Sequence, residues 1–238
     1  MGRGGSSYFA GKSIVGNARR SRAESENVSR AESEAASSRA ASEMYGKMKE
    51  LEPNITSNMK EIEKLTGGTL VGLDFRLKSL ESLTRKIKAE VADSNGKKTP
   101  EEAAASIADG VRFTLQFDPN DYTGGVQRSL DTLKAQGYEI MGVKNFWKKG
   151  DPYQGINVKL EKNGVLTELQ FHTPQSLDTK EKVLHKDYEI YRDKTKYSES
   201  ERKDAYLRMV DAASRLIPDP KELDSLLKIG TPAFQPFA

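Results

Sequence analysis

In the stretch LTELQFHTPQS, Leu166 to Ser176, a carboxylate, an amide and an imidazole fall at every second position. Successive side chains of an extended strand point to opposite faces, so Glu168, Gln170 and His172 share one face while Leu169 and Phe171 share the other. Two more segments divide in the same way. GVRFTLQF sets Val111, Phe113, Leu115 and Phe117 against Arg112, Thr114 and Gln116, and YQGINVKL sets Ile156, Val158 and Leu160 against Tyr153, Gly155, Asn157 and Lys159. As neighbours, these strands line one surface with a cation, an aromatic beside a glycine, and the Glu168/Gln170/His172 row, which suits a nucleotide cleft. A solvated sheet face shows the same alternation.

RLKSLESLTRK adds Arg76 and Lys78 at a strand end, then Ser82 and Lys86 at four-residue spacing on the helix that follows. Cations and a hydroxyl near the free N–H groups of a helix start form a cradle for polyphosphate. The competing reading is an amphipathic helix with a solvated face, on which Glu81 and Glu90 are the partners.

The elements that must position these residues are legible in the patterning. The first twenty residues are rich in Gly and Ser and carry no acid, as in a flexible basic tail. SRAESE then occurs at 21–26 and 29–34, with SRAASE at 38–43. A period of eight drifts around a helix, so no apolar stripe forms; a polar, partly helical linker is expected, with coiled-coil pairing as the alternative. Helical spacing begins near Met44 and ends at Gly67-Gly68. Further helices are predicted at 79–91, 122–136, 176–193 and 198–215, with a short one near the end. Strands are predicted in TLVGLDF, IADGVRFTLQF, YEIMGVKNFW, YQGINVKLE and the stretch after Asn163-Gly164, a hairpin signal. The sum is an α+β fold with a mixed sheet of about five strands flanked by helices. The domain reading is an arm over 1–43, a folded domain over 44–217 and a tail over 218–238.

Composition narrows the function classes. The absence of cysteine excludes disulfides, thiolate zinc sites and cysteine nucleophiles, and two histidines leave little for a metal cluster. With no run of eighteen apolar residues and no basic-then-apolar leader, a soluble, cytoplasmic protein with no membrane partner is expected. Residues 1–50 hold nine Lys/Arg against six Glu, and the other 188 residues balance at 29 of each sign. The folded part is charge-neutral, which counts against bulk nucleic-acid binding.

Taken in order, R-x-K-x-x-x-S-x-x-x-K (Arg76, Lys78, Ser82, Lys86), G-x-R (Gly110, Arg112), VKNFW…PYQGIN and E-x-Q-x-H-T (Glu168, Gln170, His172, Thr173) resemble the synthetase domain of the RelA/SpoT family of alarmone synthetases. The resemblance spans about residues 45–195. It implies a nucleotidyltransferase-like fold and transfer of the β,γ-pyrophosphate of ATP to a ribose 3′-hydroxyl, with AMP released and Mg2+ as cofactor. Carried over by position, Arg76, Lys78, Ser82, Lys86 and Arg112 would bind ATP. Tyr153 would stack on the acceptor base, with Lys144, Asn157 and His172 beside it. Glu168, Asp109 and Gln170 would be catalytic, with Glu168 and Asp109 at the metal.

The chain departs from the family pattern at three points. The family's metal-binding aspartate stands five residues before the arginine, where this chain has Ile107; Asp109 stands three before it. His172 replaces the usual arginine and Asn157 the usual histidine, changes associated with divergent toxin members. The resemblance therefore implies a growth-inhibiting toxin or effector, acting in the cytoplasm of a target cell if delivered, with an immunity or antitoxin protein as partner. The acceptor reading favours ADP/ATP or GDP/GTP. Pyrophosphorylation of a tRNA 3′ end, and a non-catalytic nucleotide-binding or virion-associated module, stay open as alternatives.

The remaining conspicuous residues have ordinary readings. Trp147, beside Lys144, Lys148 and Lys149, either contacts RNA or packs at a strand edge. His185 is expected to be structural or solvent-facing, Tyr188 and Tyr191 to pack their helix on the sheet, and Asp74 to be the ion partner of Arg76.

Overall fold

A computed structural model describes residues 10–147 and 151–232. The chain divides into two units, Met1–Tyr45 with Leu80–Ala105, and Gly46–Ser79 with Ser106–Ala238. Helix α1 (Ala10–Thr66) runs through both the SRAESE repeats and residue 43. Serine hydroxyls in and beside the repeats are satisfied within the helix by donating to the carbonyl four residues earlier, as in Ser37 to Ser33, Ser38 to Glu34 and Ser42 to Ser38. The basic tail expected over the first twenty residues lies partly outside the described residues; from Ala10 onward the backbone is helical.

The smaller unit contains the N-terminal part of α1, helix α2 (Leu80–Asp93) and helix α3 (Pro100–Ser106). Leu83 and Ile87, one turn apart on α2, are fully buried, as are Ala41 and Ala103, and Ala40 and Ala104 are buried beside them in sequence. α3 falls where a loop was expected. Its start is a reciprocal cap, with the Glu102 amide donating to the Thr99 hydroxyl and the Thr99 amide donating to the Glu102 carboxylate, and Pro100 fills the first helical position.

The larger unit is built on a mixed sheet. Its strands are β1 (Thr69–Val71), β2 (Arg112–Gln116), β3 (Glu139–Asn145), β4 (Ile156–Lys162), β5 (Val165–His172) and β6 (Thr231–Pro232), in the spatial order β1-β2-β5-β4-β3-β6. β2–β5 and β3–β6 pair parallel and the other neighbours antiparallel. The five strands expected are present, and β6, a two-residue edge strand in the segment expected to be irregular, makes a sixth. Asn163 (φ 55°) and Gly164 (φ 77°) both take the left-handed conformation of a tight hairpin turn, which fixes the β4–β5 register.

Phe113, Leu115, Val158, Leu160, Leu169 and Phe171 are buried on one face of the sheet. Helix α4 (Tyr122–Ala135) closes that core with Tyr122, Val126, Leu130 and Leu133. Gly125 allows the close approach, since a Cβ there would come within 2.3 Å of the Phe117 ring. In the C-terminal part of α1, Met48, Ile55, Met59 and Ile62 are buried at helical spacing, and Asn58 donates to the Tyr138 hydroxyl.

After β5 the chain forms α5 (Pro174–Asp178), a π-helical turn (Thr179–Val183), α6 (His185–Arg192), α7 (Glu199–Leu216) and α8 (Leu223–Leu226). The single helix expected over 176–193 is thus broken into three pieces. Tyr191 packs on Tyr206 of α7, ring centres 5.6 Å apart, beside Leu184 and Met209, and Tyr188 is 46% exposed. This corrects the expectation that those tyrosines pack on the sheet. Among the described residues, no helix is long and apolar enough to cross a membrane.

Candidate active site

The sheet register brings the polar side chains of the three strands onto one face. Arg112 of β2 stands opposite Glu168 of β5, which stands opposite Lys159 of β4. The next row reads Thr114, Gln170, Asn157 and Lys144, and Gln116 stands opposite His172. A solvated sheet face would leave these groups in water. Instead Gln170 and His172 are buried, Arg112, Asn157, Lys159 and Glu168 are half-buried, and only Lys144 is exposed. The cover comes from the chain just after the strand: Ser176 of α5 bonds to His172, and Lys180 of the π-turn reaches Gln170.

At the edge of β2, residues 76–78 run alongside 110–112. The Arg112 amide donates to the Arg76 carbonyl at 2.7 Å and the Lys78 amide to the Gly110 carbonyl at 2.9 Å, with a bridge between Leu77 and Val111. This pairing brings Lys78 Nζ to 3.3 Å from Asp109 Oδ2. Arg76 is held on its other side by Glu52 of α1, whose carboxylate also accepts from Thr56. The hydrogen bond from Arg76 holds the Glu52 carboxyl below its usual range despite burial, and the same bond raises Arg76. Glu52, not Asp74, is therefore the partner of Arg76.

The central cluster surrounds Tyr153. Its hydroxyl lies 2.6 Å from Asn157 Oδ1 and 2.9 Å from His172 Nε2, and its ring meets Phe146 and His172 edge-on at 4.8 and 5.1 Å. The opposite nitrogen of His172 lies 2.8 Å from Ser176 Oγ. A phenol has one proton to give. Donated to Asn157, it leaves the oxygen to accept from His172 Nε2–H, and Nδ1 then accepts from Ser176. Burial pulls the His172 pKa down to about 3, with the charges of Lys180 and Arg112 adding to the effect, so the ring is neutral. Burial also pushes the Tyr153 phenol well above its ordinary range, with Glu168 adding to it. Gly155 is the residue that fits beneath the imidazole, because a Cβ there would lie 2.8 Å from His172 Cε1 and 3.0 Å from the Phe171 carbonyl.

Gln170 links this cluster to Glu168. Its amide Nε2 donates to Glu168 Oε1 at 2.6 Å, and its Oε1 accepts from Lys180 Nζ at 3.1 Å. The lysine thus sets the amide orientation and the amide ties down one carboxylate oxygen. Lys180 also sits 5.7 Å from the centre of the Tyr153 ring.

Of the residues singled out in the sequence, Arg112, Lys144, Asn157, Glu168 and Gln170 share the polar face, Tyr153 and His172 are joined within it, and Arg76, Lys78 and Asp109 lie along the β2 edge. His172 is fully buried with both nitrogens engaged inside the protein. Ser82 and Lys86 fall on α2, in the other unit, where Arg85 donates to the Ser82 hydroxyl at 3.2 Å. Ile107 is buried in the core. Trp147 is also buried, its Nε1 donating to the Tyr122 hydroxyl at 3.0 Å, which takes it out of any RNA contact; Lys148 and Lys149 lie outside the described residues. His185 is exposed. Sequence reasoning missed Glu52 and Lys180.

The oxygen donors available for magnesium are Asp109 and Glu168. The Glu168 amide donates to the Val111 carbonyl at 3.0 Å, so the start of β2, just after Asp109, lies beside Glu168. Among the described residues no cluster of three or more metal-ligating side chains exists. Two carboxylates fit an ion that arrives with a polyphosphate and keeps several waters, and do not fit an all-protein cage.

No protein-family model and no curated protein matches this chain. Among solved structures it is similar to a GTP pyrophosphokinase family protein from Streptococcus pneumoniae, at 18% identity over 70% of this chain and 87% of that one, with a TM-score of 0.45. It is also similar to small alarmone synthetase 1 from Bacillus subtilis bound to its product pppGpp, at 14% identity over 68% of this chain and 85% of that one, with a TM-score of 0.43.

Proposed function

We propose that this protein is a pyrophosphokinase that transfers the β,γ-pyrophosphate of ATP to the ribose 3′-hydroxyl of a nucleotide acceptor, ADP/ATP or GDP/GTP. The observation that carries the reading is the register of Arg112 with Glu168. It sets a cation and a carboxylate side by side on a half-buried sheet face, next to an aromatic ring fixed by two hydrogen bonds. Phosphoryl-type transfer needs positioning, charge neutralisation and in-line attack, and no protein nucleophile.

On this reading Glu168 accepts the proton of the 3′-hydroxyl as that oxygen bonds to the β-phosphorus. The bond from the β-phosphorus to the oxygen bridging it to the α-phosphorus breaks, and AMP leaves with that oxygen. Gln170 holds Glu168 in place through its 2.6 Å hydrogen bond. Arg76, Lys78 and Arg112 neutralise the phosphate charge, and Tyr153 presents its ring to the acceptor base with Asn157 and His172 as its supports. Ser82 and Lys86 of α2 are assigned to ATP by the sequence motif alone, and Lys144, at the exposed end of its row, borders the acceptor. Glu168 and Asp109 are the residues that would hold magnesium, which would supply further charge neutralisation on the phosphates. A growth-inhibiting role and an immunity partner belong to the same reading.

The test is the appearance of AMP from ATP, resolved by chromatography, with each acceptor added in turn. AMP formed only when acceptor and magnesium are both present supports the assignment. Acceptor-independent AMP, or none from folded protein, removes it.

A further inference from the structure

The two lysines of the π-helical turn Thr179–Val183 have opposite surroundings. Lys182 is exposed and pairs with Asp178 one turn back, whereas Lys180 is half-buried and makes no ion pair among the described residues. A π-turn re-aims a single side chain in this way. The turn is anchored beside the strand it faces, because Thr173 and Ser176 form a reciprocal cap at the start of α5 and Ser176 also holds His172. Lys180 Nζ donates to Gln170 Oε1 at 3.1 Å and stands over the Tyr153 ring, 5.7 Å from its centre. Burial and the Arg112 charge bring the Lys180 pKa down to about 8, which leaves the group mostly an ammonium at neutral pH.

The Gln170 side chain is buried between two charged groups, Lys180 at its oxygen and Glu168 at its nitrogen. An ammonium only donates and a carboxylate only accepts, so one of the two amide flips satisfies both neighbours and the other satisfies neither. Without the ammonium, the buried amide oxygen loses its donor and the flip that holds Glu168 loses its advantage.

We propose that Lys180 is a positioning residue for the transfer step: it binds neither substrate and acts through Gln170, fixing the Glu168 carboxylate that takes the proton of the 3′-hydroxyl. This rests on the reading of Glu168 as that base. Positioning of this kind shows in kcat and not in the KM of either substrate, and its whole effect runs through Gln170.

The experiment is a double-mutant cycle on the full-length protein, with Lys180→Met, Gln170→Leu and the pair, and with Lys180→Arg as the conservative variant. AMP formation is measured against ATP and against acceptor, and the side-chain amide signals of Gln170 are followed by NMR without substrates. Lys180→Met is expected to lower kcat by about tenfold or more with both KM values within about twofold, and Lys180→Arg to recover most of the loss. In the Gln170→Leu background the same change should cost little further. The Gln170 amide protons should exchange slowly with solvent in wild type and faster in Lys180→Met. An undiminished loss in the Gln170→Leu background, or an unchanged kcat in Lys180→Met, overturns the proposal. So does a shift in acceptor KM: a rise makes Lys180 a substrate ligand, and a fall makes it a cover on the Tyr153 ring. No transfer by wild type sinks the reaction and the kinetic role with it, whereas Gln170 amide signals indifferent to Lys180 sink the positioning device alone.

Discussion

The Tyr153 hydroxyl and the His172 imidazole are joined at 2.9 Å in a site where the histidine is fully buried. A buried neutral imidazole is a poor phosphate ligand and a good strut: it fixes the phenol and is itself fixed by Ser176. This explains how a histidine can stand where the alarmone synthetases that the motifs resemble carry an arginine.

The strut makes stability depend on pH. The native ring stays neutral down to about pH 3, whereas in the unfolded chain a histidine takes up a proton near its usual value of about 6.5. Below about 6.5 the unfolded state binds the extra proton, so stability falls as pH falls and levels off near the native value. Urea unfolding at pH 7 and pH 5 is expected to show wild type losing about 2 kcal/mol more than His172→Gln over that interval. Equal losses would show that the ring titrates in the native state.

Gly155→Ala drives a methyl group against the His172 ring, 2.8 Å from Cε1. The expected cost is about 1–3 kcal/mol of stability, together with weaker acceptor binding, because Tyr153 loses its fixed partner. A thermal melt and a titration with GDP and ADP check both. Wild-type acceptor affinity in a stably folded variant would detach Gly155 and His172 from the acceptor.

Two substitutions at Tyr153 separate ring from hydroxyl. Tyr153→Ala removes the stacking surface and is expected to raise acceptor KM by about tenfold or more, with ATP KM little changed. Tyr153→Phe keeps the ring and drops the hydrogen bonds to Asn157 and His172, so its acceptor KM should rise by a smaller factor. Equal effects on acceptor and ATP in the alanine variant would contradict the stacking role.

Glu52 positions Arg76 from α1. Glu52→Gln leaves the half-buried guanidinium without its charged partner, at an expected cost of about 1.5–3 kcal/mol, and raises the KM for ATP while leaving that for the acceptor. An unchanged ATP KM would separate Arg76 from ATP.

Much of this was legible in the sequence because strand alternation and hairpin chemistry are local. The faces of Arg112/Thr114, Asn157/Lys159 and Glu168/Gln170 follow from a period of two, and Asn163-Gly164 announces its own turn. Helix α3 carried a readable signal in Thr99-Pro100-Glu101-Glu102, a cap followed by its reciprocal acid. What escaped depends on distance along the chain or on irregular backbone. Glu52 meets Arg76 across 24 residues, and Asp74 was the nearer candidate. Lys180 reads as one more solvated charge in TKEKV until the π-turn rotates it onto Gln170. His172 was placed on the correct face, but its burial depends on α5 folding back, which no period in the sequence expresses.

The most direct measurement of the central claim uses ATP labelled at the γ-phosphate, incubated with magnesium and GDP, GTP, ADP or deacylated tRNA, for wild type and Glu168→Gln side by side. The expected result is label on a free nucleotide together with AMP for wild type, no transfer after chelation with EDTA, and none from Glu168→Gln at an unchanged melting temperature. Equal transfer by Glu168→Gln would contradict the role given to that carboxylate, and no transfer by folded wild type to any acceptor would contradict the reaction itself.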